Sequence, residues 1–309
     1  MTSSQDVLRI PQNNLQYSLL GELGTGSFGT VFKAELAVLG GGDRDRQGSD
    51  HGSTPMKDNR AAARREGNLF AIKCIDMESS EEDLDEIQQE IAVLSSVNCP
   101  FLTKYHGSYA VGSKLWIVME FMPGGSIADL MYLRDTNKPT GFGEAACAWI
   151  FKDLLRAVAY LHNERRIHRD IKGQNILLGS DGHLKLADFG VTVQLTDTMT
   201  KRKTFVGTPF WMAPEVIVQS KYDLKADLWS VGITLIECVT GLPPYGDAHP
   251  VKALFWIPKN DPPRLDRGEG AQALSENMAK FVEACLQKDP EHRPSAEELL
   301  RHEWLARWE

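Results

Sequence analysis

The stretch IHRDIKGQNILL, residues 167–178, limits what this chain can become more than any other segment. It sets His168, Arg169, Asp170, Lys172 and Asn175 inside a frame of Ile167, Ile171, Ile176, Leu177 and Leu178. The apolar frame predicts burial, and each polar group buried without a partner costs about 1–3 kcal/mol. A fold that accepts this stretch must enclose it and supply partners. It is therefore either a satisfied structural loop or a reaction site that needs those groups dry and fixed.

The rest of the chain is ample for that enclosure. Its 309 residues suffice for one large domain or two lobes, and 42% are hydrophobic. A net charge of −8 argues against general binding to nucleic acid or anionic membranes, both of which favour a basic surface. The five cysteines (Cys74, Cys99, Cys147, Cys238, Cys285) are scattered and form no CxxC pair. That spacing fits neither a disulfide framework nor a zinc site, and the expected compartment is the reducing cytoplasm. The N-terminal MTSSQDVLRIPQNN has no apolar core of a signal peptide. The apolar run at residues 228–242 is too short to span a bilayer and contains Glu237, so a buried core helix is expected.

Periodicity divides the chain. Residues 1–16 read as a polar tail. Residues 17–39 alternate around a glycine cluster, which predicts two strands joined by a glycine loop. Residues 40–68 carry six glycines and eleven charges and no aromatic, so they predict a disordered insert. NLFAIKCID and KLWIVMEF predict strands. Between them, Ser79 and Glu82 form a capping box that opens a helix. Leu84, Ile87, Ile91 and Leu94 make its apolar stripe, with Glu90 on the inward face. After the PGGS break helices dominate. One runs from Glu144 to His162 with a stripe of Ala148, Phe151, Leu154, Leu155, Val158 and Leu161. Strands first and helices later predict an α+β chain of two unequal lobes.

Four motifs carry chemistry. Gly24-Thr-Gly26-Ser-Phe-Gly29 is a GxGxxG, but Thr30-Val-Phe-Lys33 continues as a strand, where a dinucleotide-binding fold would start a helix. The loop therefore caps a hairpin, whose amides can lie over phosphates. Lys73 in Ala71-Ile-Lys73 is either a strand lysine reaching solvent or a buried cation kept charged by Glu90. Asp170 and Asn175 are five apart, and Asp188-Phe-Gly190 follows. Each alone can be a turn or a capping carboxylate. Their occurrence together, in this order, makes coincidence implausible.

These residues resemble the eukaryotic protein kinase family, over about residues 17–305. Further matches are Ala213-Pro-Glu215, Asp227-Leu-Trp-Ser-Val-Gly232, and Arg293, which is similar to the family's partner of that glutamate. Lys172, two after Asp170, resembles the serine/threonine class. GGSIADL, GTPFWMAPEV and HPVKALFWIPKNDPPRL are similar to sterile-20-like kinases, closest to the third germinal-centre subfamily. Two departures stand out: the insert is longer than that subfamily usually carries, and its long C-terminal regulatory tail is missing.

The resemblance implies a bilobal kinase fold. A small antiparallel-sheet N-lobe with one key helix would span 17–122 and a larger helical C-lobe 123–305, with 306–309 as the end. It implies ATP and Mg2+ as cofactors. Leu23, Gly24, Gly26, Gly29, Val31, Ala71, Lys73, Met119, Glu120, Met122 and Leu177 would receive the nucleotide. Lys73, held by Glu90, would grip phosphates, and Asn175 and Asp188 would hold the metal. Asp170 would act as base with Lys172 neutralising the transferring phosphate, and Thr208 would brace that pair. Thr204 would be the activating phosphosite, read by Arg169. Val191, after the DFG, implies a threonine preference. Implied partners are protein substrates bearing Ser or Thr, a scaffold or adaptor, and a second copy of the chain. The competing class is a kinase fold that scaffolds without chemistry.

Overall fold

The computed structural model describes residues 7–10, 15–26, 29–37, 68–78, 91, 95–132, 140–188, 193–194, 209–220, 223–266, 268 and 273–308. The chain divides into two compact units. One comprises residues 1–95 and 104–121, the other residues 96–103 and 122–309.

The first unit is built on one antiparallel sheet. Its strands are β1 (Val7–Ile10), β2 (Leu15–Gly26), β3 (Gly29–Ala37), β4 (Leu69–Asp76), β5 (Tyr105–Val111) and β6 (Lys114–Glu120). They lie in the order β1-β2-β3-β4-β6-β5. The expected glycine hairpin is β2–β3, closed by the pair Gly26–Gly29. Gly29 has φ +117°, and a Cβ there would come within 2.2 Å of the Cys74 carbonyl oxygen. Only glycine allows that close approach. Leu8, Ile10, Tyr17, Ala34, Ile72 and Val118 form the buried cluster on one face of the sheet.

Two elements depart from the sequence reading. Residues 7–10, assigned to the polar tail, form the edge strand β1, and β2 begins at Leu15. The alternation of Val7, Leu8, Arg9 and Ile10 is only two periods long, yet it buries Leu8 and Ile10. Strand β5 was not foreseen, because YHGSYAV is broken by Gly107 and carries small and polar residues. The helix expected beyond Ser79 falls mostly outside the described residues, and Ile91, Ser95 and Ser96 are helical.

The second unit contains α1 (Ile127–Tyr132), α2 (Glu144–Asn163), α3 (Pro214–Ile217), α4 (Lys225–Thr240), α5 (Pro250–Lys259), α6 (Glu276–Cys285), α7 (Ala296–Leu300) and α8 (Glu303–Ala306). Short strands β7 (Arg166–Ile167), β8 (Ile176–Leu178), β9 (Leu184–Leu186) and β10 (Val193–Gln194) pair as β7–β10 and β8–β9. All six stripe residues expected on α2 are buried. At its first turn, Glu144 accepts the Ser275 N–H at 2.9 Å, the Ser275 hydroxyl, and Trp304 Nε1–H at 3.0 Å. One carboxylate thereby ties α2 to the starts of α6 and α8.

Helix α4 is the expected core helix, buried from Ala226 through Cys238. It stops at Gly241, whose φ of 86° lets its N–H close on the Glu237 carbonyl. Beside it, Arg293 is almost fully enclosed and forms a two-pronged ion pair with Glu215, as the resemblance implied. Its remaining donors reach the Gln287, Lys225 and Lys288 carbonyls. Among the described residues no helix is long and apolar enough to cross a membrane.

Candidate active site

Register places the residues expected for nucleotide binding in the first unit. Val31 pairs with Lys73, and Ala71 pairs with Met119. Residues directly opposite on antiparallel strands share a face, as do residues two apart. Val31, Ala71, Lys73 and Met119 therefore share one face. Phe32, Ile72 and Val118 share the other, which is the side of the apolar cluster. The AIK strand follows directly: Ile72 goes to the core and its neighbours go to the opposite face.

Lys73 is only 6% exposed. Its expected partner Glu90 lies outside the described residues. Gly24 lies opposite Val31, next to an irregularity that leaves Leu23 exposed. Glu120 ends β6, with its N–H on the Lys104 carbonyl at 2.9 Å and its carboxylate accepting the Lys104 N–H at 3.1 Å.

The second unit holds the stretch 167–178, in which His168, Asp170, Lys172 and Asn175 all have polar partners. The two oxygens of Asp227, on α4, accept the His168 N–H and the Arg169 N–H, each at 2.9 Å. His162, from the end of α2, contacts the same carboxylate at 2.9 Å. Asp227 is wholly buried. Burial alone would raise its pKa, but His162 and the Arg169 amide hold it below its ordinary value.

His168 accepts the Asp170 N–H at Nδ1 (3.3 Å), while Nε2 lies 3.1 Å from the Ala187 carbonyl. Both contacts are satisfied by the neutral ring with its hydrogen on Nε2. Arg169 takes φ 72°, a left-handed conformation that turns the chain toward Asp170.

Asp170 is 6% exposed. Lys172 Nζ lies 2.8 Å from its Oδ2, and Asn175 Nδ2 donates to that same oxygen at 2.9 Å and to the Asp170 carbonyl at 2.7 Å. Among the described residues Oδ1 has no hydrogen bond, which leaves it for a proton. Because the Asn175 amide nitrogen is committed to Asp170, its carbonyl oxygen points the other way, as a ligand atom. The Asn175 backbone carbonyl accepts the Ala187 N–H at 2.8 Å, which brings Asp188 to this loop with φ 63°. A carboxylate and an amide oxygen are hard donors that suit magnesium, which takes its other ligands from phosphates and water. Leu177 sits on β8 opposite Lys185, and Met122 is buried with its carbonyl accepting the Gly125 N–H.

The structure thus brings Asp170, Lys172, Asn175 and Asp188 together on one loop system. It sets Val31, Ala71, Lys73 and Met119 on one sheet face. Thr204, Thr208 and Val191 lie outside the described residues. Sequence reasoning missed the supports: Asp227 as the anchor of the loop, His162 behind it, and Glu237, which accepts the Gly173 N–H at 3.0 Å. A signal was present. Asp227, Ser230, Thr234 and Glu237 follow at steps of three, four and three, a polar stripe on an otherwise apolar helix.

The family model for the protein kinase domain matches residues 57–305. The glycine hairpin precedes the matched stretch, and its kinase-like form rests on the strand pairing described above. With the antiparallel sheet and the helical unit, the fold is the α+β, bilobal protein kinase fold. The chain belongs to the protein kinase family, whose members transfer a phosphoryl group from ATP to proteins.

Proposed function

We propose that this kinase is a magnesium-dependent serine/threonine kinase, similar to the sterile-20-like group and closest to its third germinal-centre subfamily. One observation carries the catalytic assignment. The Asp170 carboxylate is oriented by Lys172 and Asn175 through a single oxygen, so the other can accept the proton of an incoming hydroxyl. Lys172 offsets charge on the transferring group. Asn175 and Asp188 hold the metal, which when bound neutralises phosphate oxygens. By resemblance to the family, Lys73, paired with Glu90, is the position in the first unit that orients the α- and β-phosphates, and Val31, Ala71 and the Glu120 backbone are its positions for adenine; in the second unit those positions are Leu177 and the Met122 backbone. Transfer of this kind needs positioning and charge neutralisation more than covalent chemistry.

The finer reading rests on sequence. Lys172 after Asp170 supports Ser/Thr acceptors, and Val191 supports threonine over serine. Phosphate on Thr204 would add about −1.5 to −2 charges, matched by Arg169. The switch would seat Thr208 beside Asp170. The setting is a cytoplasmic signalling cascade, with protein substrates, a scaffold partner and a second copy as associates.

The test is a phosphoryl-transfer assay of the full chain with MgATP and matched Ser and Thr peptides. Asp170→Asn is expected to bind ATP normally and lose about 100-fold or more in kcat. Thr204→Ala should lower kcat with ATP affinity kept, and the Thr peptide should give the higher kcat/KM. Near-normal turnover by Asp170→Asn would overturn the mechanism. A wild type with no transfer would favour a scaffold instead.

A further inference from the structure

Arg166 opens β7, the strand that leads into His168, Arg169 and Asp170. Its side chain is enclosed, with 9% exposed. Nη2 donates to Ser96 Oγ at 3.0 Å, while the buried Nε–H has no acceptor. Among the described residues that bond is the only one its guanidinium makes, and no carboxylate pairs with it. Arg293, the other arginine buried among the described residues, shows what such a cation ordinarily receives: both oxygens of Glu215 and three backbone carbonyls. A hydroxyl satisfies one N–H of Arg166 but brings no charge to match it, and a buried charge without a counter-ion is costly.

The two donors lie side by side. Nε–H and Nη2–H point from one edge of the planar guanidinium, an edge that receives two oxygens of a carboxylate or phosphate in parallel. Ser96 takes one half of that edge, and the other half has no acceptor. Ser96 is itself exposed, at the end of a helix, and residues 97–99 have no regular structure. An enzyme can thus reach its hydroxyl, although the oxygen touches an enclosed cation. The residues that follow are already tied to the second unit. Asn98 N–H donates to the Tyr160 hydroxyl on α2 at 3.2 Å, and Phe101 and Thr103 bond through their backbones to Leu186 on β9.

We propose that Ser96 is a phosphorylation site whose phosphate is received by Arg166, through the donor edge that Ser96 Oγ now half fills. The step is an ordinary phosphoryl transfer from ATP. A bond forms between Ser96 Oγ and the γ-phosphorus as the bond to the β,γ-bridging oxygen breaks. The hydroxyl proton passes to the base of the transferring kinase, and ADP leaves. The product brings about −1.5 to −2 charges to a cation that has no anionic partner among the described residues. It exchanges one neutral hydrogen bond for a charged, two-pronged one, and so ties the start of the segment 96–103 to the strand that precedes the catalytic loop.

The experiment has two arms. In the first, the full chain is expressed in eukaryotic cells as wild type and as Asp170→Asn, and its phosphopeptides are mapped by mass spectrometry. Phosphate on Ser96 is expected. Its presence in both chains assigns the transfer to another kinase, and its presence in wild type alone assigns it to this one. Its absence from both overturns the proposal. In the second arm, the full chain is made with phosphoserine at position 96 and compared with the unmodified chain. Pairing with Arg166 should raise Tm by about 3 °C or more. The same pairing favours the dianion, so the second pKa of the phosphate, followed by 31P NMR, should fall below its ordinary value of about 6. Arg166→Gln keeps an amide donor but no charge, and should lose both effects. An ordinary phosphate pKa in the phosphorylated wild type, or an equal Tm gain in Arg166→Gln, would refute the assignment to Arg166. If Arg166→Gln does not fold, the NMR titration of the phosphorylated wild type decides alone.

Discussion

Asp227 has no exposed surface, yet its charge is kept by three contacts, one from the end of α2 and two from adjacent residues of the loop at 168–169. Asparagine can replace only one acceptor oxygen and cannot pair with His162 as an anion. Asp227→Asn should therefore cost about 3 kcal/mol, the scale for breaking a buried charged arrangement, and reduce activity through the misplaced His168–Asp170 turn. The pH dependence follows from the depressed pKa. The stability Asp227 contributes is present above its ordinary pKa of 3.8 and is lost as pH falls through the lower folded value. Chemical denaturation of wild type and Asp227→Asn should show a constant gap from neutral pH down to about 4, closing only in stronger acid. A gap that closed nearer neutrality would assign the effect to another group.

At the scale of elements, α4 and α6 approach closely because Gly232 presents no side chain. A Cβ there would lie 2.7 Å from Cys285 Cβ and 2.8 Å from Leu286 Cδ2. Alanine is the better helix former by up to about 1 kcal/mol, but overpacking a tight contact costs about 1–3 kcal/mol. Gly232→Ala should thus lower Tm by about 2–6 °C, measured by thermal unfolding. A raised Tm would mean the interface can open at little cost. The sheet illustrates register in the same way. Period-two alternation in AIK sends Ile72 to the apolar cluster, and the pairs across β3 and β6 then fix which face carries Lys73. A slip of one residue would send the ammonium into the apolar cluster.

For the whole molecule, the insert between β3 and β4 is the clearest test of what the fold needs. Its flanks are already neighbours: Leu36 N–H donates to the Asn68 carbonyl at 2.9 Å, and Glu35 pairs with Leu69. A chain of any length closing that gap costs entropy that grows only with the logarithm of its length. Replacing residues 40–66 by a short Gly/Asn turn is expected to change Tm by no more than about 2 °C and to leave ATP affinity unaltered. A large fall in either would show that the insert packs on the sheet.

Much of this protein can be read directly from residue order, for a physical reason. Helix α2, strands β4 and β6 and the glycine hairpin are fixed by local periodicity and by glycine's backbone freedom, which act over a few residues. The HRD loop, its Asn175 and the DFG aspartate are likewise legible, because catalysis requires those residue types at short spacings. What tertiary structure alone decided are the contacts whose partners lie far apart in sequence. Strand β1 exists because β2 offers an edge that buries Leu8 and Ile10. Nothing local to Asp227 announces that it will hold residues 168 and 169, nor does GTPFWMAPE announce that the Trp211 indole will meet Glu237. Both follow from a buried helix whose few polar residues must find donors, and only the packed chain determines which donors come within reach.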